Sequence, residues 1–375
     1  MNLFDVYSKY NVNLVKAKGA KLLDSDGKEY LDFYGGHGVI SIGHSHPKYI
    51  KALTEQLNNI AFYTNVIENK RQEELAKKLG KLSGYDDYGL FVCNSGAEAV
   101  ENALKVASFY TEKGRIIAMK GAFHGRTSGA IAATDNPAIW SEYNKGHQVS
   151  FIELDDKESL LEEFRNGEIA AVIIEGIQGV GGVYEGSEDF LHFVREICDA
   201  NDACLILDEI QSGYGRSGKF FAHQYAGIQA DIITAAKGMG NGFPIAGVLI
   251  SPKISAKKGM LGTTYGGNHL ACAAGVAVLD IMKDENLMQN AQVMGDYLWG
   301  ELQKIEEVTE IRGRGLMVGF VIDGARELRR KLIYEKSIFT GFSEPDVIRL
   351  LPPLNVTERE IDLFINSFKS AINTN

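Results

Sequence analysis

Short apolar runs without polar alternation recur between residues 89 and 250. They are Gly89-Leu90-Phe91-Val92-Cys93, Arg115-Ile116-Ile117-Ala118-Met119, Ala170-Ala171-Val172-Ile173-Ile174, Ala203 to Leu207, Asp231 to Ala235 and Ala246-Gly247-Val248-Leu249-Ile250. A strand with one wet face alternates polar and apolar residues, so continuous runs predict strands covered on both faces, as in a mostly parallel sheet. Helical spacing between the runs makes the class α/β. The first fifty residues instead predict short strands and turns: Leu14 to Leu23, an Asp26-Gly27 turn, then Tyr30 to Phe33. Pro47 is a good first-turn residue for a helix that continues through Leu57.

A long helix is predicted over Asn268 to Lys283, and beyond it helices alternate with Leu316 to Phe320 and Val347 to Leu351. That tail reads as a small α+β unit joined by the N-terminal segment. The expected organisation is a large domain at 51–267 and a small domain made of 1–50 and 268–375. At 375 residues, 45% apolar and 23% charged, the chain can bury the core this requires.

A formal net charge of −10 argues against nucleic acid or an anionic membrane as partner. An anionic substrate would therefore need a local cationic pocket. Cys93, Cys198, Cys204 and Cys272 form no CxxC pair and are expected as buried free thiols of a reducing cytosol. No apolar stretch approaches the ~20 residues of a membrane span, and Met1 to Tyr10 lacks a signal-peptide pattern, so a cytoplasmic location is expected.

Candidate chemistry concentrates at two strand ends. Asp231-Ile232-Ile233-Thr234-Ala235-Ala236-Lys237 carries a lysine out of an apolar run into the glycine-rich Gly238-Met239-Gly240-Asn241-Gly242. A desolvated amine there would have a depressed pKa and act as a nucleophile toward an aldehyde. Asp208, at the end of Leu205-Ile206-Leu207, could pair with a pyridinium nitrogen. These are the two protein groups that a pyridoxal phosphate (PLP) enzyme most needs.

Other motifs are less specific alone. Asn94-Ser95-Gly96-Ala97-Glu98 opens a helix running through about Tyr110, either as a phosphate site of free amides or as a plain N-cap. Gly213-Tyr214-Gly215-Arg216-Ser217-Gly218-Lys219-Phe220 satisfies G-x-G-x-x-G and most of a P-loop. Phe220 cannot supply the hydroxyl that a P-loop places on Mg²⁺, and Asp208 to Ser212 separates the glycines from their strand. A glycine-rich active-site loop is the preferred reading. Phe123-His124-Gly125-Arg126-Thr127 offers an aromatic face and a guanidinium suited to carboxylate binding. His44-Ser45-His46 lacks a third metal ligand and reads as a turn; no metal is expected. Gly262-Thr263-Thr264-Tyr265-Gly266-Gly267-Asn268 suits a second phosphate-contacting loop. Arg349, a charge inside Ile348-Arg349-Leu350-Leu351, needs an ion-pair partner or a ligand.

Taken in order, NSGAEAVENALK (94–105), AFHGRT (122–127), LDEIQSGYGRSG (207–218), AAKGMGNGFPIAG (235–247), GTTYGGNHLAC (262–272), RGRGLMVGF (312–320) and IRLLPP (348–353) resemble the class III PLP-dependent aminotransferases. The resemblance spans most of the chain and is strongest to the acetylornithine aminotransferases. It implies the type I PLP-enzyme fold. Lys237 resembles the lysine that bonds the cofactor aldehyde, and Asp208 the carboxylate under the pyridinium nitrogen. Ser95, Gly96 and Ala97 are implied at the phosphate, Phe123 stacked on the ring and Gln211 at its phenolic oxygen. Thr264 resembles a phosphate ligand donated by a second subunit, which implies a homodimer. Arg126, with Thr263 nearby, resembles the clamp on the donor's α-carboxylate, and Arg349 the arginine that receives glutamate or 2-oxoglutarate.

The resemblance implies transfer of the δ-amino group of an N²-acylornithine, acetyl or succinyl, to 2-oxoglutarate in arginine biosynthesis. Ornithine or 4-aminobutyrate transamination is the alternative within the family, and a P-loop or dinucleotide enzyme using 213–220 the alternative outside it. Two departures fall where substrates are chosen. The family's Glu-Pro-Ile-Gln-Gly-Glu-Gly-Gly is here Glu175-Gly176-Ile177-Gln178-Gly179-Val180-Gly181-Gly182, so Val180 stands where a glutamate would cover the arginine. His37 stands where ornithine aminotransferases carry a tyrosine.

Overall fold

The first strands form an antiparallel meander of β1 (Leu14–Lys18), β2 (Lys21–Asp24) and β3 (Glu29–Asp32). A kinked turn, α1 (Gly35–Gly38), and the helices α2 (Pro47–Asn59) and α3 (Lys70–Ser83) lead to β4 (Gly89–Cys93). The computed structural model describes residues 1–373; 374–375, the end of the expected small domain, lie outside the described residues.

Strand and helix then alternate through α4 (Gly96–Thr111), β5 (Arg115–Met119), α5 (Ser128–Ala132), β6 (Val149–Ile152), α6 (Lys157–Arg165), β7 (Ile169–Glu175), α7 (Glu188–Ala200) and β8 (Cys204–Asp208). β9 (Ile232–Ala235) and β10 (Ala246–Ile250) follow. The resulting sheet has the order β4-β10-β9-β8-β7-β5-β6, parallel except for β10, which runs antiparallel to both neighbours. Every residue of β7 and β8 is buried, which is why their sequences carry no polar alternation.

The apolar runs therefore mark strands where the sequence placed them. Within this sheet, β6 escaped that reading: Val-Ser-Phe-Ile is short, interrupted by serine and lies at the sheet edge. The long helix expected from Asn268 is α8 (His269–Asp284), N-capped by the Asn268 side chain and packed against α2 and α3.

After α9 (Leu287–Leu302), β11 (Glu310–Arg314) and β12 (Met317–Val321) form a hairpin. α10 (Ala325–Tyr334), β13 (Ile338–Phe339), β14 (Gly341–Ser343), β15 (Val347–Leu350) and α11 (Glu358–Ile372) complete the described chain. β11, β12, β15 and β14 make one antiparallel sheet, while β13 pairs in parallel with β3 and ties the tail to the first fifty residues. Among the described residues, no helix is long and apolar enough to cross a membrane. All four cysteines are buried and free.

The glycine-rich loop at 213–220 is a packing joint between these layers. A Cβ on Gly215 would meet the Met288 side chain at 2.9 Å, and one on Gly218 would meet Gln292 at 2.5 Å. Gly315, at the tip of the β11–β12 hairpin, presses on Ser217 and Gly218, and Gly295 of α9 presses on Gly315. The amides of this loop are also occupied: Gly213 donates to Glu209 O, Gly215 to Phe220 O and Gly218 to Gly215 O. Arg216 is buried with its guanidinium on the carbonyls of Leu316 and Pro352. The loop can cradle neither a phosphate nor a dinucleotide, because close helix and hairpin approach already uses its glycines.

Gly295→Ala should test this joint. Its methyl group would fall 2.2 Å from Gly315 O. The clash should outweigh the helix-propensity gain and destabilise the protein by about 1–3 kcal/mol. Thermal unfolding should show Tm lowered by several degrees; an unchanged or raised Tm would contradict the packing described.

Candidate active site

Parallel pairing of β7, β8 and β9 sets Glu175 beside Asp208, and Asp208 beside Thr234. Ligands of open α/β sheets bind beyond the carboxyl ends of the strands, and these residues stand at that edge. A cavity of about 400 Å³ opens there, lined among others by Ser95, Gly96, Ala97, Phe123, Arg126, Asp208, Gln211 and Lys237. Eight of the residues singled out in the sequence thus share one cavity. Thr263, Thr264 and Arg349 are not in its lining.

Asp208 is buried, and its carboxylate accepts the Ile210 N–H at 3.0 Å and bonds His124 Nδ1 at 2.7 Å. Burial opposes charge on His124, but the hydrogen bond and negative charge of Asp208 win and raise its pKa. His124 Nε2 is buried without a partner among the described residues. Glu175 is buried too, accepting the N–H groups of Phe123 and Gly179, each at 3.0 Å. Burial raises its pKa, with the charge of Asp208 adding to the effect against His124 and the two amides.

Lys237 follows β9 with a left-handed φ of 40°, an uncommon conformation for a residue with a side chain. Burial depresses its pKa; Arg349 pushes the same way, and the pull of Asp208 and Glu175 does not offset them. The amine is thus uncharged over a pH range in which a surface lysine is still an ammonium.

At the start of α4, the Ser95 side chain accepts the Glu98 N–H at 3.2 Å, and the Ser95 carbonyl accepts that of Ala99 at 3.0 Å. The amides of Gly96 and Ala97 precede these bonds and are positioned to receive an anion at the helix N-terminus. Ser95 therefore serves as an N-cap as well as lining the cavity. Phe123 is half-buried and Arg126 exposed at the same cavity. Gln211 donates from Nε2 to the His37 carbonyl at 3.0 Å, leaving its buried Oε1 unpartnered among the described residues.

The remaining candidates sit around this centre. Thr263 Oγ1 accepts from the Gly266 N–H at 3.1 Å and from the side-chain amide of Asn94, a lining residue, at 3.3 Å. Thr264 is exposed. Arg349 is buried on β15, where Nη1 donates to Gly179 O and Nη2 to the Tyr34 hydroxyl, both at 3.0 Å. Val180 is 44% exposed and gives Arg349 no charge. The imidazoles of His44 and His46 turn to separate carboxylates, Asp32 at 2.8 Å and Glu285 at 3.0 Å.

Sequence reasoning missed His124 and Glu175. The available signals were a histidine next to Phe123 and a glutamate ending an apolar run. The β7–β8 register supplied what those signals lacked.

The comparisons with known proteins agree with this geometry. A model of the family "Aminotransferase class-III" matches residues 5–372. The acetylornithine aminotransferase of Caldanaerobacter subterraneus subsp. tengcongensis is 39% identical, with 96% of this chain and 94% of that protein covered. The crystal structure of acetylornithine aminotransferase from Elizabethkingia anophelis superimposes with a TM-score of 0.86 at 32% identity, covering 98% of this chain and 95% of that one. That of ornithine aminotransferase from Toxoplasma gondii ME49 gives 0.92 at 29% identity, covering 99% and 94%.

A depressed amine should be visible chemically. At near-neutral pH, brief treatment with PLP and borohydride should modify Lys237 ahead of the surface lysines, as read by peptide mass spectrometry. Labelling spread evenly over exposed lysines would contradict the electrostatics described.

Proposed function

The chain belongs to the class III aminotransferases, and on that premise we propose that it is an N²-acylornithine 5-aminotransferase. It would move the δ-amino group of acetylornithine or succinylornithine to 2-oxoglutarate, as a step of arginine biosynthesis in the cytoplasm. The observation that carries the reading is the meeting of Lys237, Asp208 and the open amides of α4 at one cavity. The substrate assignment leans on the full-length similarity to acetylornithine aminotransferases.

Class III aminotransferases use PLP. The cavity fits it: the first-turn amides of Gly96 and Ala97 suit a phosphate, the orphan Gln211 Oε1 suits a ring substituent, and a buried carboxylate suits a protonated ring nitrogen. When bound, PLP supplies the carbonyl that takes up the amino group and the electron sink that lets a proton leave the neighbouring carbon.

The protein's own groups do the rest. Gly96 and Ala97 would hold the phosphate, and Phe123 would pack against the ring. Asp208, oriented by His124 and the Ile210 amide, would hold the proton at the ring nitrogen through a charge-assisted bond. Lys237, whose pKa burial lowers, would move the proton at the substrate's δ-carbon. Arg126 would take the donor's α-carboxylate with Thr263 as a second contact, and Arg349 would receive that of 2-oxoglutarate. Acylation removes the α-amine as a competitor, so only the δ-amine reacts.

The exposed position of Thr264, away from the cavity lining, suits donation to the phosphate site of a second copy. On this reading the enzyme is a homodimer, with Thr264 of one copy serving the phosphate site of the other. Each copy would have a large unit of 51–267 and a small unit of 1–50 and 268–375.

Asp208→Asn should slow the half-reaction with the amino donor by on the order of 10²-fold or more, while PLP affinity falls much less, because the lost charge acts mainly in the transition state. Stopped-flow rates and PLP dissociation constants separate the two effects; equal rates would remove Asp208 from its role. For the wild type, kcat/KM should favour acetylornithine or succinylornithine over ornithine and 4-aminobutyrate by at least about tenfold. A preference for free ornithine would replace this reading with ornithine transamination.

A further inference from the structure

Arg349 is a buried cation without a counter-charge in contact. Its N–H groups donate to Gly179 O at 3.0 Å, to Phe342 O at 3.3 and 3.2 Å, and to the Tyr34 hydroxyl at 3.0 Å, all neutral oxygens. Among the described residues, no carboxylate is within ion-pair distance of it. Among carboxylates, Glu175 exerts an acidic pull on it, but burial raises the pKa of Glu175 itself. Such a site welcomes an anion and repels an ammonium. A transaminase that admits an ammonium donor and a dicarboxylate acceptor in turn must manage both.

The hydrogen-bond chain continues past Tyr34. A guanidinium can only donate, so the Tyr34 oxygen accepts from Arg349 and its own proton goes elsewhere. It points to His37 Nδ1, 2.6 Å away. We assign Nδ1 as the acceptor of that proton, which places the proton of the neutral ring on Nε2. The charged groups facing His37 are Arg349 of β15, Lys237 beyond β9 and Arg329 of α10, all basic. Partial burial of the ring and these three groups push its pKa below the ordinary value. Arg329 donates to Thr340 O at 2.9 Å and contributes no acid. His37 keeps an exposed edge, which gives the ring a route to water. Its carbonyl also holds Gln211, so the same residue touches the cofactor side of the site.

We propose that His37 is the charge-compensating residue of the Arg349 site, acting through Tyr34: its Nδ1 takes a proton from water when a dicarboxylate occupies Arg349 and returns it when the amine donor replaces the dicarboxylate. This rests on the donor and acceptor classes proposed above. With the proton on Nδ1, His37 donates to the Tyr34 oxygen, and Tyr34 turns its hydroxyl proton to the bound carboxylate. The anion gains one donor and one nearby positive charge. On release the proton returns to water, Tyr34 again donates to His37, and the arriving ammonium meets one charge fewer. His37 and Tyr34 are positioning residues here, and no acidic side chain has to move.

By linkage, a dianion that offsets Arg349, Lys237 and Arg329 raises the pKa of His37, so binding takes up protons and tightens as pH falls. Glutarate, which lacks the reacting groups, is the probe. Calorimetry of the PLP-loaded wild type in two buffers of different ionisation enthalpy should show proton uptake, and affinity should rise about 3–10-fold from pH 8 to pH 6. His37→Gln can accept the Tyr34 hydrogen bond but does not titrate, so its glutarate binding should lose the His37-linked proton uptake and pH dependence. Tyr34→Phe cuts the chain from its other side and should reduce the same uptake, which keeps the test sound if glutamine at this left-handed position folds poorly. Absent binding, absent uptake in the wild type, or equal uptake in wild type and variants would overturn the proposal. Turnover of acylornithine with 2-oxoglutarate, assayed on the same wild-type preparation, separates the failures. An inactive wild type refutes the functional reading, whereas an active one without His37-dependent uptake refutes only this inference.

Discussion

A carboxylate buried at the end of β8 is the constraint around which the site is arranged. An unpaired buried charge is costly, so Asp208 requires donors, and it finds them in the Ile210 amide and His124. Those bonds fix the carboxylate at the cavity edge and keep a buried histidine inclined to hold its proton. Lys237 shares the same environment with the opposite outcome, because the burial that lowers its pKa outweighs the pull of two acids. One low-dielectric strand edge thus holds an acid that is anchored and an amine that is free to react.

The two arginines assigned to substrates show how burial divides similar residues. Arg126 is exposed at the cavity and can change partners without cost to the core. Arg349 is 5% exposed, and neutral oxygens hold it in one orientation. An arginine held by neutral acceptors retains its attraction for carboxylates, whereas one locked to an acid must first be released. Val180 fits this arrangement, since the residue that follows the Gly179 carbonyl on Arg349 carries no charge, and Glu175 of the same segment turns to the Phe123 and Gly179 amides.

Where a residue's environment follows from its own run of sequence, the fold was legible. β7 and β8 are buried at every position, and their unbroken apolar runs announced a parallel sheet. Lys237 and Asp208 were legible for the same reason, as polar groups at the ends of such runs. β6 was not, because an edge strand with one serine carries little pattern, and neither was β13, whose two residues are strand only by pairing with β3. Local composition misled at 213–220: no residue of that loop lines the cavity, and its glycines answer to α8, α9 and the β11–β12 hairpin. His124 and Glu175 depend on strand register and loop return, which adjacent residues do not encode. The Arg349–Tyr34–His37 chain joins residues more than 300 positions apart and needed the folded molecule.

The central claim is that the δ-amino group of an acylornithine reaches 2-oxoglutarate through this cavity. Its most direct test is a single turnover of PLP-loaded protein with acetylornithine or succinylornithine carrying ¹⁵N at the δ-position. The account predicts one equivalent of acylglutamate semialdehyde per active site, with the label retained by the enzyme until 2-oxoglutarate is added and then found in glutamate. Label released as ammonia, or transfer from free ornithine in preference to both acylated donors, would contradict it.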